Sequence, residues 1–383
     1  MGIIFVIPVA GNKLVWICFF INERIMKKIL YITEAFGSGV FVLMANSSNM
    51  LASRGHEVHL CYSLRWDTFH PLEKYIDPRV TLHHIPMVRN MNPQADIRAL
   101  MQLTKLIKQL KPDVIHLYSS KAGFLGRLAS RLIGKKIPVF YSPQGLAFLQ
   151  QNFSRMQRGA FLALENLASL AGGTLVASCQ SEKDMIRRSL PFAKVILIEN
   201  AIDVGEVNKR QNNGNKLCLG TTGRIKAQKD PVAFAQLAKS LADKNISFVW
   251  IGDGDHPGKA SLLDAGVEVT GLLSREDYLN RLADFDIYIQ TSLWEGMPIA
   301  MMEALIAGIP AVVTDVIGNR DIVDHGETGF LAKNLEEMAS YLSRLIEDTN
   351  LRKQMGNLAR QRSLQRFLFE HFVDKLLKTY NGE

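Results

Sequence analysis

Residues 217–251 read LCLGTTGRIKAQKDPVAFAQLAKSLADKNISFVWI. A short apolar run at 217–222 leads into a basic loop, an amphipathic stretch at 230–243 and a second apolar run at 247–251. Pro231 suits the first turn of a helix, and Asp230 before it is a residue type that caps helices. The stretch therefore predicts a strand, a helix and a second strand, which is the βαβ unit of a parallel sheet.

The same alternation extends in both directions along the chain. Further strands are expected towards the C terminus at 267–270, 286–290 and 310–313, with helices at 275–283, 299–307, 335–347 and 351–363. Towards the N terminus the expected strands are 28–33, 57–62, 80–85, 113–118, 137–141, 173–177 and 194–198, and the helices 40–54, 95–110, 121–133, 155–171 and 180–189. A hydrophilic segment, 205–216, separates the two series. This pattern predicts an α/β protein of two Rossmann-like domains that face each other across a ligand-binding cleft.

The composition excludes several classes of protein. Among 383 residues, 47% are hydrophobic and 21% are charged, which is typical of a globular protein and not of a disordered, fibrous or polytopic membrane protein. The net charge of +8 is unevenly divided. Residues 27–199 hold 22 basic and 11 acidic residues, whereas residues 200–383 hold 21 basic and 25 acidic residues. No nucleic acid is therefore expected as a partner, and the basic half points to an anionic surface or a phosphorylated substrate.

The first 25 residues do not follow the alternating pattern. Residues 3–21 are mostly apolar and long enough for one membrane span, but Lys13 near the bilayer centre would cost about 3 kcal/mol. The run from Met26 to Thr33 is typical of a protein start that leads into a buried strand. Residues 1–25 are therefore expected to be an extension, either an upstream-start artefact or disordered segment, or a weak anchor.

Three basic residues lie in the loop after strand 217–222. Arg224, Lys226 and Lys229 are expected at the carboxyl end of that strand and at the mouth of the next helix. This arrangement suits a diphosphate, because Arg can bind two oxygens at once and Lys acts as a point charge. The alternative is a solvated basic loop.

Two glutamates lie in WEGMPIAMMEA, residues 294–304. Pro298 suits the first position of a helix, so Glu295 lies on the preceding loop and Glu303 one to two turns inside the helix. Because residues 300–305 are otherwise apolar, Glu303 is expected to be buried and to need hydroxyl or cationic partners. The hydroxyl groups of a sugar or a ribose would serve, and the free amides of residues 297–300 would form an anion site. The alternative is a pair of ordinary surface glutamates.

Two weaker candidates lie in the basic half. Gly37 and Gly39 follow strand 28–33 and precede a helix, so the backbone there can approach a ligand closely, although a simple tight turn is equally consistent. Val42 stands where the dinucleotide fingerprint GxGxxG needs a third glycine. His116 and Gln144 lie at strand ends and are candidate contacts of a ligand, but a lone strand histidine is more often a core residue.

No metal site is expected. The four cysteines, Cys18, Cys61, Cys179 and Cys218, are far apart and form no CxxC pair, which fits a reducing cytosol. The triplet Asp253-Gly254-Asp255 can hold a divalent ion on a nucleotide sugar in some proteins. Here it follows a strand, where Gly-Asp-Gly is typical of a turn.

The last amphipathic stretch is 365–380. Its apolar residues follow helical spacing and are Phe369, Phe372, Val373, Leu376, Leu377 and Tyr380. A helix of this kind must pack on something, and we expect it to cap or bridge a domain.

These motifs, taken in order, resemble glycosyltransferase family 4, whose members are retaining, nucleotide-sugar-dependent enzymes with the GT-B fold. The likeness covers roughly residues 27–380. The segments that carry it are the glycine turn at 37–39, Asp113–His116, Ser119–Gly126, Glu199–Asp203, the Gly-Arg-x4-Lys loop at 223–229, Gly252–Gly254 and the Glu-x7-Glu pair at 295 and 303. The resemblance implies an N-terminal acceptor domain at 26–199, a C-terminal nucleotide-sugar domain at 200–364, and a helix at 365–383 that returns to the first domain.

The resemblance also implies roles for individual residues. Arg224, Lys229 and Glu295 would be the catalytic set, the first two neutralising the departing diphosphate so that no metal or other cofactor is needed. The donor would be bound by Gly37, Gly39, Gly223, Gly296, Met297, Pro298, Ile299 and Glu303, with Glu303 on the ribose hydroxyls. His116 and Gln144 would contact the acceptor or the donor sugar.

Two positions depart from the family pattern. Gln144 stands where the family usually has a histidine, and it can donate and accept hydrogen bonds but cannot titrate. Ala201 follows Asn200 where the family usually has a glycine. Gln144 leaves the donor sugar undetermined.

The expected function is that of a cytoplasmic hexosyl- or N-acetylhexosaminyltransferase that builds a surface polysaccharide, O-antigen or capsule, on a lipid-diphosphate carrier. Its basic half is expected to lie on the anionic inner face of the bacterial inner membrane, through a cluster comprising Arg127, Arg131, Lys135, Lys136, Arg155 and Arg158. Two alternatives stay open: a nucleotide-sugar 2-epimerase on the same fold, and a non-catalytic nucleotide-sugar-binding protein.

Overall fold

The computed structural model describes residues 3–9, 13–19, 26–134, 136–210, 216–242, 245–254 and 257–383. Strands β1 (Ile3–Val9) and β2 (Lys13–Phe19) pair antiparallel, in a segment for which the sequence predicted no strand. The rest of the predicted extension, residues 1, 2, 10–12 and 20–25, lies outside the described residues. No helix in the described part of the chain is long and apolar enough to cross a membrane.

The first large sheet has seven parallel strands. They are β3 (Lys28–Thr33), β4 (Glu57–Tyr62), β5 (Thr81–His84), β6 (Val114–Tyr118), β7 (Val139–Ser142), β8 (Thr174–Ala177) and β9 (Lys194–Leu197). Their order across the sheet is β5-β4-β3-β6-β7-β8-β9. The helices of this half are α1 (Ser38–Ser53), α2 (Pro93–Leu110), α3 (Ser120–Ile133), α4 (Arg155–Leu170) and α5 (Gln180–Ser189).

The second large sheet has six parallel strands. They are β10 (Leu217–Thr222), β11 (Ile246–Ile251), β12 (Glu268–Val269), β13 (Ile287–Gln290), β14 (Ala311–Thr314) and β15 (Gly329–Ala332), in the order β12-β11-β10-β13-β14-β15. The helices are α6 (Pro231–Ser240), α7 (Gly258–Asp264), α8 (Arg275–Ala283), α9 (Ile299–Ala307), α10 (Asn319–Ile322), α11 (Leu335–Glu347), α12 (Thr349–Arg366) and α13 (Phe369–Asn381). Both sheets have the doubly wound order of a Rossmann-like fold, which confirms the predicted fold class.

In each large sheet the strand that comes first along the chain has the predicted bounds, because its sequence is a continuous run of mostly apolar residues. β3 and β10 match residues 28–33 and 217–222, and five of the six residues in each are buried. The predicted cap of α6 is also present, since the Asp230 carboxylate accepts a hydrogen bond from the Ala233 amide at 3.1 Å. Parallel strands covered on both faces read as unbroken apolar runs, and this makes them visible in the sequence.

Three short elements were not predicted. α7 has seven residues, α10 has four, and β15 has four and begins with a glycine. Segments of this length span at most about two helical turns or a few strand residues, too few to show a clear hydrophobic period, so their sequences resemble loops. The polar linker predicted at 205–216 contains residues 211–215, which lie outside the described residues.

The helix predicted at 351–363 is α12 and the amphipathic stretch predicted at 365–380 is α13, but the break between them lies a few residues later than predicted. α12 continues to Arg366, and Leu368 takes an extended conformation that pairs with Ile202 before α13 begins. The apolar face of α13 then packs into the core around the first sheet; its buried residues there are Phe369, Phe372, Val373, Leu376 and Tyr380. The expected return of the C-terminal helix to the first domain is confirmed.

Candidate active site

The basic loop after β10 is supported by the turn after β11. The Gly223 amide donates to the Ile251 carbonyl and the Ile225 amide to the Asp253 carbonyl, both at 2.9 Å. Gly223 has φ 130°, a backbone conformation that favours glycine. A side chain at Gly254 would meet the Ile225 carbonyl oxygen at 2.2 Å. The Gly-Asp-Gly turn therefore supports the loop that carries Arg224, Lys226 and Lys229.

The acidic triplet does not form a metal site among the described residues. The Asp253 carboxylate accepts from the Lys259 ammonium at 2.5 Å and from the Gly254 amide at 2.8 Å. Asp255, the other half of the triplet, lies outside the described residues. Asp253 thus stabilises its own turn.

Arg224 and Lys229 each form an ion pair with a carboxylate. Arg224 reaches across the cleft to Asp67, a buried residue on the loop after β4, and its guanidinium lies 5.1 Å from the centre of the Trp66 ring. Lys229 binds Glu295 at 2.8 Å, and both side chains are almost fully buried. Burial would lower the pKa of Lys229, but the Glu295 carboxylate outweighs it and raises that pKa. Lys229 therefore stays charged beside Glu295.

Glu295 is fixed by the same basic loop. The Gln228 amide group donates to the Glu295 carboxylate at 3.2 Å and to the Trp294 carbonyl at 2.9 Å. The Leu293 amide donates back to the Gln228 carbonyl at 2.8 Å. These bonds link the loop before α9 to the loop before α6 and bring Glu295 and Lys229, two residues of the predicted catalytic set, together.

Glu303 is buried inside α9, and the alternative of a surface glutamate is wrong. Its carboxylate accepts from the Tyr278 hydroxyl at 2.5 Å and forms an ion pair with Arg275 at 2.7 Å. Burial would lower the pKa of Arg275, but the carboxylates of Glu303 and Glu206 outweigh it and raise that pKa. The sequence predicted that Glu303 needs cationic or hydroxyl partners, but it did not identify Arg275 and Tyr278.

The glycine turn at 37–39 approaches protein atoms. A side chain at Gly37 would lie 2.6 Å from the Asp67 carboxylate, and one at Gly39 would lie 3.3 Å from Ile299 at the start of α9. Ser38 between them donates to Asp67 at 2.7 Å. The turn therefore brings α1 against the mouth of the second domain and positions the carboxylate that holds Arg224.

Gln144 lies at the junction of the two halves. Its amide and that of Asn200 exchange two hydrogen bonds of 3.1 Å, and Asn200 also donates to the Met297 carbonyl at 3.1 Å. A side chain at Gly296 would lie 3.2 Å from the Gly145 amide nitrogen. Gln144 therefore connects the first domain to the loop that was predicted to hold the donor.

His116 lies in the core, which is the alternative that the sequence left open. It is 1% exposed, and its two ring nitrogens bond the Tyr380 hydroxyl at 2.6 Å and the Ser142 hydroxyl at 2.8 Å. Burial lowers its pKa from 6.5 to about 3, so the ring is neutral. The structure thus gives His116 a role in docking α13 and leaves it no free nitrogen for a ligand.

This burial predicts a loss of stability in acid. Below pH 6.5 the unfolded chain protonates His116 and the folded chain does not, so the free energy of unfolding falls as the pH falls. From pH 6.5 to 4.5 this one group should remove about 2 kcal/mol. Urea denaturation at both pH values should show a smaller loss for His116→Gln than for the unchanged protein. Equal losses would contradict this account of His116.

Models of two protein families match the chain. Residues 37–206 match the model described as Glycosyltransferase Family 4, and residues 206–362 match Glycosyl transferases group 1. The two matches meet at residue 206, inside the predicted linker.

Curated relatives include bacterial enzymes. The UDP-Gal:alpha-D-GlcNAc-diphosphoundecaprenol alpha-1,3-galactosyltransferase of Escherichia coli is 30% identical over 81% of this chain and 86% of its own. The capsular polysaccharide biosynthesis glycosyltransferase CapM of Staphylococcus aureus is 25% identical over 78% of this chain and 84% of its own.

Solved structures share the fold. A sucrose-phosphate synthase of Thermosynechococcus elongatus superposes with a TM-score of 0.82 at 13% identity, covering 93% of this chain and 99% of its own. Anabaena Alr3699/HepE, solved with UDP and glucose, gives a TM-score of 0.73 at 18% identity, covering 93% of this chain and 100% of its own. With the two doubly wound domains and the returning C-terminal helix, these matches establish the GT-B fold. The chain belongs to glycosyltransferase family 4.

Proposed function

We propose that this glycosyltransferase moves a hexosyl or N-acetylhexosaminyl group from a nucleotide-diphosphate sugar to a lipid-diphosphate-linked saccharide during synthesis of a surface polysaccharide such as O-antigen or capsule. The observation that carries the proposal is the pair of cations, Arg224 and Lys229, in the loop after β10, together with the buried Glu303 of α9. The relative in Escherichia coli acts on a diphosphoundecaprenol-linked sugar, and this supports the acceptor class.

In the proposed reaction the bond between the sugar C1 and the diphosphate oxygen breaks, and a bond from C1 to the acceptor oxygen forms on the same face. The acceptor proton passes to an oxygen of the leaving phosphate, so no side-chain base is required. Arg224 and Lys229 stabilise the negative charge that develops on that phosphate. Asp67 and Glu295 hold these two cations until the diphosphate binds.

The remaining donor contacts in this proposal are made by α9 and by the loop before it. Glu303 accepts hydrogen bonds from the ribose hydroxyls, in addition to those from Arg275 and Tyr278. The backbone at Gly296–Ile299, with Glu295, holds the donor sugar and its phosphate at the entrance of the helix. Gln144 of the first domain is linked to this loop through Asn200, and in this proposal it contacts the donor sugar.

A panel of nucleotide sugars tests the donor class. UDP-, GDP- and ADP-sugars are added separately, and the melting temperature is recorded. One nucleotide should raise it, because a ligand that binds only the folded state stabilises it. Conversion of the donor alone into an epimer would favour the 2-epimerase, and binding with neither transfer nor hydrolysis would favour a non-catalytic binding protein.

Transfer is expected to proceed without a metal ion. The two positions that a metal would neutralise, on the diphosphate, are taken by Arg224 and Lys229. A chelator such as EDTA should therefore leave the rate of transfer unchanged. A rate that falls with EDTA and returns with Mg²⁺ or Mn²⁺ would contradict this and would point to the acidic triplet at 253–255.

The proposed location of the enzyme is the inner face of a bacterial inner membrane, and α4 is the proposed membrane-binding element. Exposed apolar residues follow one face of α4 at helical spacing: Met156, Ala160, Ala163, Leu167 and Leu170. The three large ones are 82%, 60% and 63% exposed. Residues 114–164 contain no Asp or Glu and seven Lys or Arg. An apolar helix face within a basic surface fits an anionic bilayer.

The structure changes the predicted membrane cluster. Arg127 is buried, forms an ion pair with Glu165 at 2.7 Å and lies over the Tyr141 ring, so it cannot touch a membrane. Lys135 lies outside the described residues. The exposed members are Arg131, Lys136 and Arg155, with Arg158 half-buried.

Vesicle pelleting tests this surface. The unchanged protein should pellet with vesicles that contain 30–40% phosphatidylglycerol. Each basic residue near the anionic surface contributes about 1 kcal/mol to the binding free energy. Replacement of Arg131, Lys136 and Arg155 by Ser, or of Met156, Leu167 and Leu170 by Ser, should reduce the bound fraction at least about tenfold. Replacement of three exposed lysines of the acidic half, Lys239, Lys333 and Lys353, is the control. Equal pelleting of all variants would contradict the membrane proposal.

A further inference from the structure

Asp321, in α10 of the second domain, binds the backbone at the start of two helices, one in each domain. One carboxylate oxygen accepts from the Ser181 amide, in the first turn of α5, at 2.9 Å. The other accepts from the Gly318 amide, at the start of α10, at 3.1 Å. The first amides of a helix have no partner inside the helix, so an acceptor placed there stabilises it. Asp321 is therefore a direct link between the two domains.

The N-cap residue of α5 in its own domain is a weak cap. It is Cys179, and a thiol is a weak hydrogen-bond acceptor, whereas the residues that cap helices well carry an oxygen. The charged carboxylate of Asp321 is a much stronger acceptor. The start of α5 in the first domain therefore depends on a side chain of the second domain.

The turn at Gly318 packs directly on the loop before α9. A side chain at Gly318 would lie 1.6 Å from the Gly296 carbonyl oxygen and 3.3 Å from the Pro298 ring. Gly318 also has φ 84°, a backbone conformation that favours glycine. Backbone meets backbone at this point, so a shift of the Gly318 turn must also shift Gly296.

The first domain meets the same loop from another side. The Cys179 thiol, which directly precedes α5, donates to the Gly296 carbonyl at 3.8 Å. A side chain at Gly296 would lie 3.2 Å from the Gly145 amide nitrogen. Gly296 thus lies between Gly318 of its own domain and two residues of the first domain, and Asp321 joins the two sides.

We infer that Asp321 is a positioning residue for transfer, which caps α5 from the second domain and thereby keeps the first domain aligned with the loop that carries Gly296. This role rests on the proposed function, in which that loop holds the donor sugar and the first domain binds the acceptor. Asp321 acts through Gly318 and Gly296 on one side and through α5 on the other. A misplacement of about 1 Å can cost about a hundredfold in rate, so alignment of this kind affects kcat.

Kinetics of Asp321 variants test this role. Asp321→Ala removes both hydrogen bonds and should lower kcat for transfer about ten- to a hundredfold, whereas Asp321→Asn keeps one acceptor oxygen and should lose about three- to tenfold. The affinity for UDP, GDP or ADP, measured by calorimetry, should change less than kcat, because the proposed phosphate and ribose contacts are intact. Asp324→Asn is the matched control, since Asp324 lies just beyond α10 and its partner Arg362 keeps Glu327.

A second substitution separates positioning from stability. Cys179→Ser gives α5 a good cap from its own domain. Combined with Asp321→Ala, it should restore the melting temperature that the single variant loses but should not restore kcat, because the link between the domains stays broken. Cys179→Ser alone is the control. Recovery of both the melting temperature and kcat would overturn the inference, since Asp321 would then only stabilise α5.

Hydrogen exchange gives a readout that does not depend on activity. In Asp321→Ala, peptides that cover 178–184 and 295–299 should both exchange faster, and in the double variant the second should still do so. Unchanged exchange at 295–299 would show that Asp321 does not hold this loop. If the Asp321 variants keep kcat while Lys229→Ala is inactive, the inference fails and the proposed function stands. If the unchanged protein transfers no sugar, the proposed function fails, and exchange at 295–299 still decides whether Asp321 holds the loop.

Discussion

Replacement of Lys229 by alanine is expected to abolish measurable transfer. Lys229 is buried against Glu295 at 2.8 Å, and in the proposed reaction it provides positive charge where the leaving diphosphate becomes negative. Loss of one such preorganised donor costs about 10²–10³-fold in kcat. The measurement is the initial rate at saturating donor and acceptor, with Lys259→Ala as the matched control, since Lys259 pairs with Asp253 outside the proposed catalytic set.

The same substitution should also destabilise the fold, and this effect must be separated from catalysis. Removing Lys229 leaves the buried Glu295 carboxylate without its cation, at a cost of about 3 kcal/mol. The double variant Lys229→Met with Glu295→Gln removes both charges, so it should recover much of the melting temperature and remain inactive. If Lys229→Ala keeps its rate, the phosphate site lies elsewhere.

Replacement of Glu303 by glutamine is expected to raise the KM for the donor about ten- to a hundredfold, with a smaller effect on kcat. A hydrogen bond to a charged acceptor contributes about 1.5–3 kcal/mol, and the ribose contact is the same before and during the reaction. Arg275 keeps Glu206 at 3.0 Å as a partner, so the variant should still fold.

Glu206→Gln is the matched control for Glu303, because it removes the more exposed partner of the same arginine. It should lower the melting temperature slightly and leave the donor KM unchanged. If Glu303→Gln loses stability but keeps its donor KM, Glu303 is a structural partner of Arg275 and Tyr278 and does not bind ribose.

The sequence predicts the two sheets well because their strands are buried on both faces. β3, β4 and β10 were predicted to the residue, since each is a mostly apolar run that ends at a polar or glycine-containing loop. Glu303 was predicted to be buried for the same reason, being one charge in an apolar helix. Local composition carries this information, and no knowledge of distant segments is needed.

The sequence does not predict the partners of the site residues. Asp67, Arg275 and Asn200 lie far along the chain from Arg224, Glu303 and Gln144, and nothing in their spacing connects them. Asp67 is one of three carboxylates in the long segment between β4 and β5, and the sequence does not distinguish it from Glu73 and Asp77. Such pairs arise when loops from different strands meet at one edge of a sheet.

Two predictions from the basic half depended on the direction of a side chain. Arg127 was assigned to the surface, but it follows the buried face of α3 and meets Glu165. His116 was a candidate ligand contact, but it points to the face of β6 that α13 covers. A charged or polar residue on an amphipathic element can face either way when a buried partner is available.

The central claim is transfer to a lipid-diphosphate-linked saccharide with retention at the anomeric carbon. The direct measurement is proton NMR of the product made by the purified enzyme, in EDTA, from an α-configured nucleotide sugar selected by the melting panel and a short-chain lipid-diphosphate saccharide. We predict one new disaccharide linkage with the small anomeric coupling of an α-glycoside. A β-linked product would contradict the mechanism, and a donor that is only hydrolysed or epimerised while the acceptor stays unchanged would contradict the function.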